Sequence, residues 1–91
     1  MNRRLTARIA GVVQGVGFRY YTLNQALKAG ISGYVRNLPD GAVEVEAEGE
    51  EGCLEAFIGS LRSGPPGALV DDLKFEWADY TGKYQGFSIK Q

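Results

Sequence analysis

Residues 11–19 read GVVQGVGFR, and the rest of the chain is organised around them. The stretch joins an alternating apolar run to a segment of helical periodicity. It carries three glycines and ends in Arg19. A backbone that passes from a strand through glycines into a helix N-terminus aims several N–H groups at one point. The helix dipole adds partial positive charge there, a natural setting for a phosphate. Arg19 falls at that positive end, where a cation is electrostatically disfavoured. An anion held between the amides and the guanidinium would compensate for the placement.

Upstream of this loop, Leu5, Ala7, Ile9, Gly11 and Val13 alternate with Thr6, Arg8, Ala10 and Val12, which predicts a strand with one buried face. Downstream, Phe18–Ala29 turns helical, with Tyr20, Leu23, Ala26 and Leu27 expected on one apolar stripe and Gly30 as the C-terminal stop. Ile31–Leu38 reads as a strand. Leu38-Pro39-Asp40-Gly41 is a turn signal, because proline presets φ and glycine accepts the left-handed position. Val43, Val45 and Ala47 then alternate with Glu44, Glu46 and Glu48. This predicts a half-buried strand in a hairpin with the previous one, its three glutamates solvated on the open face. Gly49 is expected to break that strand.

Glu50 and Glu51 suit the first turn of a second helix. Leu54, Phe57, Ile58 and Leu61 fall at i, i+3, i+4 and i+7, and Arg62 closes the end. Gly59 weakens this helix by about 1 kcal/mol relative to alanine, and close packing would be a reason for it. Ser63–Ala68, reading SGPPGA, is a loop. Leu73, Phe75 and Trp77 alternate with Lys74 and Glu76 in a fourth strand. A polar connection, Asp79–Gly86, leads to a short final strand at Phe87 and Ile89. The order β-α-β-β-α-β with a short extra C-terminal strand predicts an α+β fold. It is a ferredoxin-like α/β sandwich, with two helices on one face of a mostly antiparallel sheet. The fold alone names no function.

Ninety-one residues, 44% of them apolar, suit a single domain spanning 1–91 with a modest core. The basic start, Met1-Asn2-Arg3-Arg4, is followed by a stretch broken by Thr6, Arg8 and Gln14, too polar for a signal peptide. No run approaches the roughly 18 apolar residues of a membrane span. The lone Cys53 excludes an internal disulfide and favours a reducing, cytoplasmic setting. There is no histidine, which removes the commonest general base and the commonest zinc ligand together. Residues 1–39 hold six basic and no acidic side chains, whereas 40–91 hold four basic and eleven acidic. The positive third contains the glycine loop and would attract an anion, unless interleaved strands mix the two halves in space.

Two side chains stand out beside the loop. Arg19 is either an anion clamp, its planar fork matching two phosphate oxygens, or the partner of a nearby carboxylate. Asn37 shares strand parity with Ile31, Gly33 and Val35, so it points to the core side near the strand end. It either bonds the following turn or holds a water by its amide donor and acceptor. Gln14 is expected to shape the loop. Asp71 and Asp72 point opposite ways on a strand with no third ligand, so no metal is assigned. Cys53 lies near a helix N-terminus without a base partner and is read as structural.

This set offers no acid, base, covalent nucleophile or metal. An ordinary phosphate ester is poorly served by it, because an alkoxide leaving group needs a proton or a cation. An acyl phosphate departs as a carboxylate, stable as an anion near neutral pH. Positioning a water in line and neutralising the equatorial oxygens would then suffice.

With GVVQGVGFR in place, Gly33–Gly49 reads GYVRNLPDGAVEVEAEG. The two stretches, in this order and spacing, resemble the two signatures of the acylphosphatases, and the likeness extends through SGPPGA to the terminal Gly-Phe-Ser-Ile. The resemblance implies hydrolysis of a carboxyl–phosphate bond without metal or cofactor. It implies that Arg19 binds the phosphate with the main-chain N–H groups of Gln14, Gly15, Val16, Gly17, Phe18 and Arg19, and that Asn37 orients the attacking water. In some family members the terminal carboxylate pairs with this arginine, a place Gln91 could take. The expected partners are a small acyl phosphate substrate and inorganic phosphate as product or inhibitor. The chain is expected to be a monomer binding neither nucleic acid nor membrane. Two rivals remain at this point. One is a non-catalytic module that binds an acyl or carbamoyl phosphate. The other is an RNA binder of similar topology with Tyr34 on its open face, disfavoured by the acidic remainder and the lack of an RNP-like aromatic motif.

Overall fold

The computed structural model describes residues 1–91. Its elements are β1 (Asn2–Val12), α1 (Phe18–Ala29), β2 (Ser32–Asn37), β3 (Val43–Glu50), α2 (Glu51–Ser63), β4 (Leu69–Asp79) and β5 (Phe87–Lys90). The five strands form one sheet in the order β4-β1-β3-β2-β5. All pairings are antiparallel except β2 with β5. α1 packs over β2 and β5, and α2 over β3, β1 and β4. This is the ferredoxin-like sandwich that the element order predicts. No helix is long and apolar enough to cross a membrane.

Register brings the core together. Leu5, Ala7 and Ile9 of β1 lie opposite Ala47, Val45 and Val43 of β3, and all six are buried. Against them α2 sets Leu54, Phe57, Ile58 and Leu61, the four positions its periodicity marks. Burying each such large side chain contributes roughly 1.5–3 kcal/mol. Gly33 of β2 sits so close to β3 that a Cβ there would lie 1.9 Å from the Glu46 carbonyl oxygen, and its φ is +142°. Only glycine fits.

Several expectations need correction. Of the expected Tyr20–Leu23–Ala26–Leu27 stripe α1 turns only Leu23 and Ala26 towards the core: Tyr20 is 65% and Leu27 59% exposed. The buried row is Phe18, Thr22 and Ala26. Phe18 sets the helix phase, and Thr22 tolerates burial because its hydroxyl donates to the Phe18 carbonyl at 2.9 Å. Gly49 does not break β3 but pairs with Arg3. Glu50 is the N-cap of α2, outside its first turn, and its carboxylate accepts the N–H groups of Gly52 and Cys53. A Cβ added at Gly59 would meet nothing within 4 Å, so close packing does not account for this glycine. β4 is longer than its alternating core, because it pairs along β1 from Val12↔Leu69 to Arg3↔Asp79.

The glutamates of β3 are the largest correction. Glu44, Glu46 and Glu48 do face away from the helices, yet Glu46 and Glu48 are buried. The β4–β5 connection must travel from one edge of the sheet to the other, and it crosses this outer face. Thr81 and Gly82 donate to Glu48, and Tyr84 donates to Glu46. Tyr34 is covered as well: its hydroxyl donates to Glu44, and Tyr84 packs edge-on to its ring. Tyr34 is therefore not the open aromatic face that the RNA reading gives it.

The same strand pairing disposes of the charge asymmetry. Arg4 pairs with Glu46 at 2.7 Å, Arg36 with Glu44 at 2.6 Å, Arg3 with Glu51 at 3.5 Å, and Arg8 with Asp40. The basic third meets acidic partners on β3, in the turn before it and at the start of α2. Of its six cations only Arg19 and Lys28 have no carboxylate within 4.0 Å.

Candidate active site

β1 ends before Val13, whose side chain is buried, and the chain then leaves the sheet through residues 14–17. The Gln14 amide donates to the carbonyls of Leu38 and Ala42, both at 2.9 Å. This ties the loop to the β2–β3 turn, as expected of a loop-shaping residue, and brings it beside the end of β2. Gly15 and Gly17 have φ of +76° and +79°, the left-handed region that side chains resist.

Gly17 is the N-cap of α1, has no side chain to cap it, and no acidic residue follows in the first turn. The first hydrogen bond of the helix runs from the Tyr21 N–H to the Gly17 carbonyl at 3.0 Å. The N–H groups of Phe18, Arg19 and Tyr20 precede it and have no partner within the helix. Half-buried Arg19 stands in this first turn, free of any carboxylate, Gln91 included. The local arrangement concentrates unneutralised positive charge at one point.

Asn37 is the last residue of β2, opposite Val43. The turn that follows is closed without its side chain. Leu38 N–H donates to the Ala42 carbonyl at 2.8 Å, Gly41 N–H to the Leu38 carbonyl at 3.1 Å, and Ala42 N–H to the Asp40 carboxylate at 3.0 Å. The Asn37 amide is left for other work.

These pieces share a cavity of about 280 Å³, lined by Val13, Gly15, Gly17, Phe18, Arg19, Tyr20, Asn37 and Ile89. Five of the seven residues the sequence singles out line it. Gln14 and Val16 do not: Gln14 fastens the loop, and Val16 packs against the core. Tyr20 and Ile89 were not anticipated. Tyr20 was legible as the next first-turn residue after Arg19. Ile89 had no such signal, since it reaches the cavity only through the parallel pairing of β5 with β2. No group of three or more His, Cys, Asp or Glu side chains is placed to hold a metal ion.

Fold and site together define a small α/β sandwich with a glycine loop and an unpaired arginine at the head of its first helix. The acylphosphatase family model matches residues 5–89. The chain is 43% identical over 88 residues to an acylphosphatase of Thermotoga petrophila, covering 97% of each chain, and 48% identical over 87 residues to one of Dehalococcoides mccartyi, covering 94% and 96%. The crystal structure of acylphosphatase from Bacillus subtilis superposes with a TM-score of 0.95 at 35% identity, over all of both chains. The chain belongs to the acylphosphatase family. It is a hydrolase that cleaves the carboxyl–phosphate bond of small acyl phosphates, giving a carboxylate and inorganic phosphate.

Proposed function

We propose that hydrolysis is carried by Arg19, Asn37 and the backbone amides of residues 14–19, without metal or cofactor. The observation that supports this most is one cavity holding an unpaired Arg19, two left-handed glycines and an Asn37 amide that its turn does not use. The phosphate oxygens sit against the guanidinium and the N–H groups at the start of α1. Asn37 orients a water, its carbonyl oxygen accepting one water proton and its NH₂ group donating to the water oxygen. That oxygen forms a bond to phosphorus as the P–O bond to the acyl group breaks. The electron pair leaves with the carboxylate, and the proton passes to the released phosphate or to solvent. A stable leaving group makes a strong general acid unnecessary. Arg19, Asn37 and the loop amides that this mechanism uses all belong to one chain, so it is written for a monomer. The unpaired Cys53 fits action in the reducing cytoplasm.

Phosphate release from benzoyl phosphate, measured with EDTA present, tests the proposal. Arg19→Ala is expected to lower the rate by about 10²-fold or more, and EDTA to leave the wild-type rate unchanged. Retained turnover in a folded Arg19→Ala variant, or loss of activity in EDTA, would overturn it. No release by the wild-type protein would leave a pocket that binds acyl phosphates without cleaving them.

A further inference from the structure

Four apolar side chains line the cavity, and their accessibilities separate them. Val13 and Phe18 are each 1% exposed and form its floor. Ile89 is half-buried on β5, beside Val35 and therefore next to Asn37, which lies two residues beyond Val35 on the same face of β2. Tyr20 is different: it is 65% exposed, in the first turn of α1, immediately after Arg19. Its neighbour Tyr21 is fully engaged, donating to the Ser60 carbonyl at 2.9 Å and packing against the Phe18 ring. Tyr20 makes no side-chain hydrogen bond and no ring contact within the protein. A large apolar group left open at the mouth of a reaction site is available to a ligand.

In-line displacement places the attacking water and the departing carboxylate on opposite sides of phosphorus. With the water held at Asn37, the acyl group leaves on the side away from Asn37 and Ile89. Val13 and Phe18 are covered, so Tyr20 is the accessible apolar surface that remains. We propose that Tyr20 is the acyl-group contact of this enzyme. Its ring packs against the acyl substituent and favours aryl and other apolar acyl phosphates over acetyl and carbamoyl phosphate. The proposal rests on the roles given above to Arg19 and Asn37. Tyr20 acts on substrate choice and takes no part in the bond changes.

The test compares kcat and KM for benzoyl phosphate and acetyl phosphate in the wild-type protein and in Tyr20→Ala, Tyr20→Phe and Asn37→Ala. A contact between two rings is worth about two- to ten-fold in binding. Tyr20→Ala is therefore expected to lower the benzoyl-to-acetyl ratio of kcat/KM about five-fold, through a raised KM for benzoyl phosphate. Tyr20→Phe, which keeps the ring, is expected to restore the ratio. An unchanged ratio in Tyr20→Ala overturns the proposal while leaving the roles of Arg19 and Asn37 standing. So does a fall in kcat that is equal for both substrates. Turnover retained in a folded Asn37→Ala variant overturns the underlying assignment, and the proposal with it.

Discussion

Thr81 donates twice to Glu48, from its backbone N–H at 2.8 Å and from its hydroxyl at 2.7 Å. The Gly82 N–H adds a third bond at 2.9 Å, and Arg4 stands 4.0 Å away. The Glu48 side chain is wholly buried beneath these partners. They fasten the β4–β5 connection across the sheet, and that connection delivers β5 and Ile89 to the cavity.

Removing the Glu48 carboxylate leaves several donors with no acceptor. Glu48→Ala is expected to reduce stability by about 2–3 kcal/mol, seen as a lower midpoint in urea denaturation. Glu76→Ala, on an exposed position of β4, is expected to stay within about 0.5 kcal/mol of wild type. Equal effects of the two substitutions would show that Glu48 does not hold the connection.

Acid should act on the same network. Burial by itself raises the Glu48 and Glu46 carboxyls. Hydrogen bonds from Thr81 and Gly82 to Glu48, with the nearby charge of Arg4, and hydrogen bonds from Tyr84 and Arg4 to Glu46, outweigh it and hold both below their ordinary 4.5. The folded state then binds fewer protons than the unfolded state as pH falls through that range. The stabilisation is complete above about pH 4.5 and is lost progressively below it. At the alkaline end burial, reinforced by the bond to Glu44, pushes the Tyr34 hydroxyl from 10.0 up to about 12. The folded state keeps a proton that the unfolded state releases, so stability declines between pH 10 and 12. Urea midpoints measured across the pH scale should show both flanks; a flat profile below pH 4.5 would contradict the acid arm.

Two glycines should respond in opposite directions to the same substitution. At Gly33, alanine would drive its Cβ to 1.9 Å from the Glu46 carbonyl oxygen in a left-handed conformation. A loss of about 3 kcal/mol or more is expected. At Gly59, on the exposed side of α2, nothing lies within 4 Å of the added methyl. Alanine there should stabilise by about 1 kcal/mol. Thermal denaturation of the two variants checks both signs.

Inorganic phosphate, as product, should stabilise the fold by mass action. At a concentration one hundred times its Kd the gain is about 2.7 kcal/mol, or roughly 14 °C in Tm for a chain of this size. Arg19→Ala should abolish the shift. Asn37→Ala should keep it while losing turnover by about 10²-fold, which separates holding the phosphate from activating the water. A shift that survives Arg19→Ala would place phosphate elsewhere.

The alternation of β1 and β3, the α2 stripe and the glycine punctuation were legible because each depends on neighbours within a few residues. The α1 stripe misled for a local reason. Thr22 satisfies its hydroxyl on the Phe18 carbonyl, so a polar residue takes an inward place while Tyr20 and Leu27 face outward. Glu46 and Glu48 misled for a distant one: residues about 33–38 positions further along the chain cover them. Alternation identifies the face a side chain takes, not what later crosses that face.

From its order of residues alone this chain determined a strand–glycine loop–helix unit with Arg19 at the positive helix end, and an Asn37 on the inward parity of the next strand. Those are properties of backbone conformation, period and charge, all set locally. Tertiary structure decided the rest. Sheet pairing neutralised the other N-terminal arginines while leaving Arg19 free. Gln14 drew the loop against the turn after β2. The crossing of residues 80–86 brought Ile89 beside Asn37 and buried two glutamates on the way. The physical reason is that charge pairing and burial depend on which strands become neighbours, and strand order is settled only when the whole core packs.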